Sequence, residues 1–112
     1  MKKLIVSSVL AFITFSAQAA AFQVTSNEIK TGEQLTTSHV FSGFGCEGGN
    51  TSPSLTWSGA PEGTKSFAVT VYDPDAPTGS GWWHWTVANI PATVTYLPAD
   101  AGRRDGTKLP TG

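Results

Sequence analysis

The sequence predicts an all-β fold, a sandwich of short strands. Apolar and polar residues alternate in short segments, as in FQVT at 22–25 and SFAVTVY at 66–72. All 12 glycines and all 7 prolines lie after residue 19 and divide the chain at short intervals, which is typical of turns between strands. No helical periodicity follows residue 19. Short strands separated by turns indicate a sandwich or a barrel.

The first 19 residues have the order of a secretory signal peptide. Two lysines follow the initiator methionine, an apolar run extends from Leu4 to Phe15, and the triplet Ala-Gln-Ala ends the segment. The apolar run is too short to span a bilayer, so a membrane anchor is the weaker alternative. We therefore expect a signal peptide at 1–19, a domain at 20–112, and secretion to a bacterial periplasm with no transmembrane anchor after cleavage.

The charge and composition of residues 20–112 exclude two classes of protein. This part has five basic and eight acidic residues, a net charge of −3. A nucleic-acid-binding domain is therefore not expected, because no positive surface would offset the repulsion of phosphate groups. Disorder is not expected either, since 11% of the whole chain is aromatic and only 13% is charged. The 93 residues suffice for one domain and not for two.

The first half of the domain is predicted to hold three strands. The alternation at 22–25 predicts the first strand, and a turn follows at 30–33. The segment 35–41 is assigned to a second strand. The glycine-rich segment 42–50 is expected to be a surface loop, because glycine loses the most backbone entropy on ordering. A short strand carrying a tryptophan is predicted at 54–58.

The second half contains the clearest strand, at 66–72, followed by an ordered turn. Both faces of this strand are apolar or neutral, which predicts a central position in a sheet. The turn at 73–81 begins with an Asp-Pro pair and contains a second proline, so we expect a cis Ala76–Pro77 bond. Further strands are predicted at 82–90 and 93–97.

Three titratable side chains are predicted to meet at the rim between the two longest strands. Asp73 and Asp75 end one strand, and His84 lies near the start of the next. An apolar cleft with a few converging polar groups is the usual form of a ligand site. Its walls would be the tryptophans of the second strand (Trp82, Trp83 and Trp85).

Other interpretations of these residues remain open. The two aspartates could simply cap a turn, as Asp-Pro pairs often do. Two aspartates and one histidine are a minimal set for a metal, but no metal-ligand spacing such as H-E-x-x-H or C-x-x-C accompanies them. A serine hydrolase is not supported, because the nucleophile motif G-x-S-x-G is missing. His39 is expected to be an ordinary half-exposed histidine.

Cys46 is the only cysteine of the chain. In an oxidising compartment a single thiol is either a small buried apolar residue or half of a disulfide whose partner lies elsewhere. The residues themselves leave both alternatives open.

The order of several motifs resembles the phosphatidylethanolamine-binding proteins, also called Raf-kinase-inhibitor-like proteins. The resemblance starts with N-x-S-P-x-L-x-W at 50–57 and P-x-G-T-x-S-F at 61–67. The block DPDAP follows at 73–77, with W-H-W-T-V at 83–87. These segments cover most of the domain in the order found in the bacterial YbhB/YbcL branch of the family.

The resemblance implies a β-sandwich with a pocket for a small anionic or phosphorylated ligand, such as a phospholipid head group. The matching positions are Asp73, Pro77 and His84, with Asp75 and Trp82 shaping the wall. A histidine can donate to an anion, and a neighbouring aspartate would orient the imidazole. Non-enzymatic binding without a cofactor is thus expected. The alternatives are a protein partner that such a module would modulate or inhibit, and an Asp/His hydrolase.

The resemblance also implies a longer chain. Family members continue past the position of Gly112 with a Gly/Pro-rich loop and a His-x-Tyr strand, which supply the other wall of the pocket. We therefore expect the domain to be an N-terminal portion, incomplete at its C-terminus. The bacterial branch often has a cysteine in that loop, which would be the disulfide partner of Cys46.

Overall fold

The computed structural model describes residues 20–111, and the predicted signal peptide at 1–19 lies outside this range. The all-β fold class is confirmed, because the regular structure of the described residues is seven strands and one short 3-10 helix. No helix in residues 20–111 is long and apolar enough to cross a membrane. The elements in chain order are β1 Gln23–Thr25, a 3-10 helix Thr37–His39, β2 Ser42–Gly43, β3 Cys46–Glu47, β4 Leu55–Ser58, β5 Ser66–Asp73, β6 Trp82–Pro91 and β7 Tyr96–Leu97.

Five of the strands form one three-stranded sheet and one long hairpin. In the sheet, β4 lies between β1 and β7, and both neighbours run antiparallel to it. The hairpin consists of β5 and β6, which are the two longest strands. A second, much smaller hairpin joins β2 to β3.

The core lies where the sheet and the long hairpin pack on each other. Trp57 of β4 and Leu97 of β7 are buried from the sheet side, and Ile90 of β6 is buried from the hairpin side. The ring of Phe67 on β5 meets the ring of Trp57 edge-on at a centroid distance of 5.4 Å. Apolar faces of two β layers thus cover each other, which is the arrangement of a sandwich.

The register of the long hairpin shifts twice. Val71 lies opposite Trp85, but the next residue, Tyr72, lies opposite Trp83. His84 is therefore the extra residue of a β-bulge on β6, without a partner of its own on β5. A second shift lies between Phe67 and Val69. Bulges bend a strand and re-aim the side chains at the bulged position.

The prediction that β5 is central in a sheet was wrong for the chain as described. Within residues 20–111, β6 is the only strand that pairs with β5, so one edge of β5 carries no strand. One face of β5 is apolar because Phe67 and Val69 pack against the core.

The prediction of a strand at 35–41 was also wrong. A 3-10 turn forms instead, with the His39 amide donating to the Thr36 carbonyl at 3.1 Å. The glycine-rich segment folds back onto this turn, and the Gly49 amide donates to the Thr37 carbonyl at 2.9 Å. Glycine permits this approach, because a Cβ at Gly49 would lie only 2.7 Å from the carbonyl oxygen of Ser38.

Two smaller predictions need correction. The segment 42–50 is not irregular throughout, because β2 and β3 pair around Phe44 and Gly45. Both of these residues have positive φ, 51° and 84°, as a two-residue hairpin turn requires. The Ala76–Pro77 bond is trans, not cis. The turn closes in the trans form through an amide hydrogen bond from Thr78 to the Ala76 carbonyl, at 2.6 Å.

Candidate functional site

The candidate site lies at the open end of the β5–β6 hairpin. Asp73, the last residue of β5, lies directly opposite Trp82, the first residue of β6. Pro74 ends β5 because proline has no amide hydrogen for the ladder. Gly81 returns the chain to β6 with a φ of 72°, a conformation that favours glycine. The predicted turn at 73–81 therefore places both strand ends on one rim.

The two carboxylate oxygens of Asp73 have different partners. Oδ1 accepts the backbone N–H of Asp75 at 2.9 Å, which closes the first turn after β5. Oδ2 faces Nε2 of His84 at 3.4 Å. Asp73 therefore does what both sequence interpretations proposed, since it caps the turn and approaches the histidine.

The pair of Asp73 and His84 is accessible to solvent. The side chains are 40% and 51% exposed, respectively, and the 3.4 Å separation is long for a hydrogen bond. An exposed ion pair of this kind contributes little to stability. The contact instead orients the imidazole, because it directs Nε2 of His84 toward the carboxylate and leaves Nδ1 for another partner.

Aromatic side chains surround this rim. Trp82 and Trp83 are 56% and 59% exposed. The rings of Tyr72 and Trp83 lie 4.6 Å apart between centroids, and the Tyr72 hydroxyl donates to the Ser80 carbonyl at 2.7 Å. Tyr72 thus ties the turn to β5. Sequence reasoning missed this role, although the position of Tyr72 immediately before Asp73 is a usable signal.

The structure brings together most, but not all, of the predicted site residues. The side chains of Asp73 and His84 meet, Asp75 joins them only through its backbone amide, and Trp82 stands opposite Asp73. Pro77 lies in the exposed turn between the strands. Trp85 was wrongly assigned to the wall, because it is half-buried and packs against the core.

Within residues 20–111, no three His, Cys, Asp or Glu side chains are grouped so that they could hold a metal ion. Cys46, on β3, is exposed and forms no disulfide in this structure. The alternative of a buried apolar cysteine is therefore wrong, while the expected partner on a further segment stays a prediction. His39 is half-buried, and its Nδ1 lies 2.7 Å from the Thr51 carbonyl.

Known relatives share both the sequence and the fold. The UPF0098 protein YbcL of Escherichia coli K12 is 96% identical over 112 residues, which are all of this chain and 61% of YbcL. The UPF0098 protein YbhB of the same organism is 57% identical over 77 residues, which cover 69% of this chain and 49% of YbhB. The chain therefore spans about half to three fifths of these relatives.

A solved structure agrees with this similarity. The crystal structure of E. coli YbcL, described as a new member of the mammalian PEBP family, superposes with a TM-score of 0.81 at 96% identity. The match covers 83% of this chain and 57% of the solved one. The family model named phosphatidylethanolamine-binding protein matches residues 25–111. By sequence, motif order and fold, the chain belongs to the phosphatidylethanolamine-binding protein family.

Proposed function

We propose that this domain binds a small anionic or phosphorylated ligand, such as a phospholipid head group, without transforming it. The observation that carries the proposal is the approach of Asp73 Oδ2 to His84 Nε2 at an exposed hairpin end. A histidine held in this way presents its second ring nitrogen to a ligand from a fixed direction. Fixed donors bind anions better than mobile ones, because less conformational entropy is lost on binding.

The charges of the site assign a role to each side chain. Protonated His84 donates to a phosphate oxygen through Nδ1, and such charge-assisted hydrogen bonds are the strong ones. Asp73 and Asp75 repel a phosphate at close range, so they do not contact it directly. Asp73 instead orients the imidazole, and its carboxylate favours an ammonium group on the same ligand. Trp82 adds a flat apolar wall and an indole N–H donor.

The name of the matching family model supports this assignment. A phosphatidylethanolamine head group carries a phosphate and a primary ammonium joined by a short ethylene linker. The rim presents His84 next to the carboxylate of Asp73, with a second aspartate, Asp75, in the adjoining turn, so it offers both signs of charge to such a head group. A zwitterionic head group therefore fits the site better than a bare anion does.

The direct test is titration with phosphorylethanolamine and with inorganic phosphate, followed by calorimetry. The variant His84→Ala is expected to bind phosphorylethanolamine roughly tenfold to a hundredfold more weakly, because it loses a hydrogen bond to a charged group. The matched control is His39→Ala, which removes the other histidine, bonded to the Thr51 carbonyl away from the hairpin rim. Thermal unfolding of both variants checks the fold. Unchanged affinity in folded His84→Ala would reject the assignment.

A second candidate function is binding of a protein partner, with the pocket incidental. The observation that favours it is the exposure of Tyr72, Trp82 and Trp83 on one hairpin end. Aromatic side chains of this kind dominate the energetics of many protein interfaces. If the partner binds there, Trp83→Ala should abolish its binding while phosphorylethanolamine still binds.

The proposal includes export of the domain. The order of basic, apolar and small residues at 1–19 supports a cleaved signal peptide. Expression in a bacterium with the full sequence should give a periplasmic protein whose measured mass lacks about the first 19 residues. Recovery of the uncleaved chain from the cytoplasm would contradict it.

A further inference from the structure

The contact between Asp73 and His84 is too weak to hold its own geometry. The two side chains are 40% and 51% exposed and stand 3.4 Å apart, and so exposed a pair gains little free energy from closing. His84 is also the extra residue of the bulge, so no residue of β5 lies opposite it to fix its backbone. The geometry of the pair therefore depends on the contacts of neighbouring residues.

Tyr72 makes such contacts on both sides of the rim. It precedes Asp73 on β5 and lies opposite Trp83, the residue before His84. The rings of Tyr72 and Trp83 are 4.6 Å apart between centroids and inclined at 38°. The Tyr72 hydroxyl donates to the Ser80 carbonyl at 2.7 Å, across the open end of the hairpin. One side chain thus connects the strand of Asp73 with β6 and with the segment of the turn that leads into β6.

The turn leaves room for this hydroxyl at its returning segment, residues 78–81. A Cβ at Gly81 would meet the Tyr72 hydroxyl, so the absence of a side chain there permits the hydrogen bond to Ser80. A second hydroxyl, that of Thr78, donates to the Gly81 carbonyl at 2.5 Å. Because β6 begins directly after Gly81, any movement of the returning segment also moves the first residues of β6, His84 among them.

We propose that Tyr72 is a positioning residue of the candidate site, whose hydroxyl holds the returning segment so that His84 stays beside Asp73. The proposal rests on the proposed function for its effect on binding. Tyr72 and Asp73 are consecutive on β5, so their side chains point to opposite faces of the hairpin. Tyr72 therefore acts through the turn and not by contact with the ligand.

The test compares two variants that each lose one tyrosine hydroxyl. Tyr72→Phe keeps the ring beside Trp83 and removes only the donor to the Ser80 carbonyl. The affinity for phosphorylethanolamine, measured by calorimetry, should fall roughly threefold to tenfold, because His84 is less well fixed before binding. The matched control is Tyr96→Phe, since Tyr96 is the other tyrosine of the chain, lies on β7 and is similarly exposed. Its affinity should equal that of the wild type.

Two further measurements separate positioning from a purely structural role. Adding Tyr72→Phe to His84→Ala should weaken binding no further, because Tyr72 acts through His84. In NMR spectra of the protein without ligand, the ring C–H signals of His84 should move in Tyr72→Phe. The ring signals of His39, which is bonded to the Thr51 carbonyl away from the rim, should stay in place in the same spectrum.

Each outcome decides the proposal. Unmoved His84 signals, additive losses in the double variant, or unchanged affinity of Tyr72→Phe where His84→Ala loses binding would each overturn it. If the wild type does not bind phosphorylethanolamine, the proposed function fails, and the His84 signals without ligand still decide the role of Tyr72. If Tyr72→Phe does not fold, Thr78→Val removes the other hydroxyl of the returning segment, and unmoved His84 signals in that variant reject the proposal.

Discussion

At the residue scale, one carboxylate outside the candidate site joins two parts of the chain. Oε2 of Glu28 accepts hydrogen bonds from the Ser54 hydroxyl at 2.7 Å and from the Ser54 amide at 2.9 Å. Ser54 is buried, at 3% exposure. The Ser54 hydroxyl first, and its amide next, lower the pKa of Glu28 below its ordinary value of 4.5. Hydrogen bonds to the charged form favour that form.

This lowered pKa predicts a pH dependence of stability. The unfolded chain binds the proton of Glu28 more readily than the folded chain does, so the ionised carboxylate stabilises the fold above pH 4.5. The stabilisation is lost as the pH falls from there through the folded-state pKa. Glu28→Gln should therefore be less stable at neutral pH and should lose less stability on acidification, as measured by urea unfolding across this range.

The matched control for Glu28 is Glu62→Gln. Glu62 is exposed in a turn, and its carboxylate accepts no hydrogen bond from residues 20–111. Glu62→Gln should lose stability on acidification to the same extent as the wild type does. Curves of equal shape for the wild type and Glu28→Gln would show that another group determines the acid sensitivity.

The sequence predicted that Asp73 and His84 lie on one rim, but it did not predict their detailed geometry. Asp73 and His84 were placed on one rim because one ends a strand and the other lies near the start of the next. The bulge that leaves His84 unpaired could not be predicted, because it depends on how the register of two strands is accommodated. Trp85 was misassigned for the same reason. Alternation counts residues within one strand, whereas the bulge changes which of them face the core.

At the element scale, the turn of the long hairpin depends on Gly81. A Cβ at this position would lie 2.7 Å from the Asp73 carbonyl oxygen and would also meet the Tyr72 hydroxyl. The positive φ of 72° adds a conformational penalty for any other residue. Gly81→Ala should destabilise the protein by about 1–3 kcal/mol. Because the clash lies next to Asp73, the affinity for phosphorylethanolamine should fall as well.

Gly79→Ala is the control for this turn. A Cβ at Gly79 has no neighbour within 4 Å, and its φ is not positive. The stability change should stay within about 0.5 kcal/mol of the wild type in thermal unfolding. If both glycine variants behave alike, the turn tolerates a side chain at position 81 and the steric argument fails.

The strands were predictable where side-chain patterns determine them, and not where backbone contacts do. Strands β4, β5 and β6 were predicted to within one residue at either end, because each carries large apolar or β-branched side chains. The segment 35–41 has a similar composition, yet it forms a 3-10 turn. The backbone amides of Gly49 and Asn50 donate hydrogen bonds to carbonyls of this segment, although both residues lie outside it in the sequence. A strand preference is easily overruled by such non-local hydrogen bonds.

At the scale of the whole molecule, fold class could be predicted but strand order could not. Alternating segments and frequent turns require two apolar layers that cover each other, and that arrangement is present. The sequence does not show that β4 pairs with β1 and with β7, since alternation defines the faces of a strand and not its neighbours.

Leu97 tests whether one core holds both layers together. It lies on β7, fully buried, opposite Leu55 of β4, and it belongs to the same buried cluster as Ile90 of the hairpin. Leu97→Ala should therefore cost about 2–5 kcal/mol, because the cavity lies between the layers and neither can collapse into it alone. Leu35→Ala, at a residue 49% exposed, should change the free energy of unfolding by less than about 0.5 kcal/mol. Chemical denaturation of the Trp57→Phe background, in which the remaining tryptophans all lie on the hairpin strand β6, followed by tryptophan fluorescence and by circular dichroism should give one shared transition for Leu97→Ala. Two separated transitions would mean that the sheet and the hairpin unfold independently, and that the buried cluster does not join them.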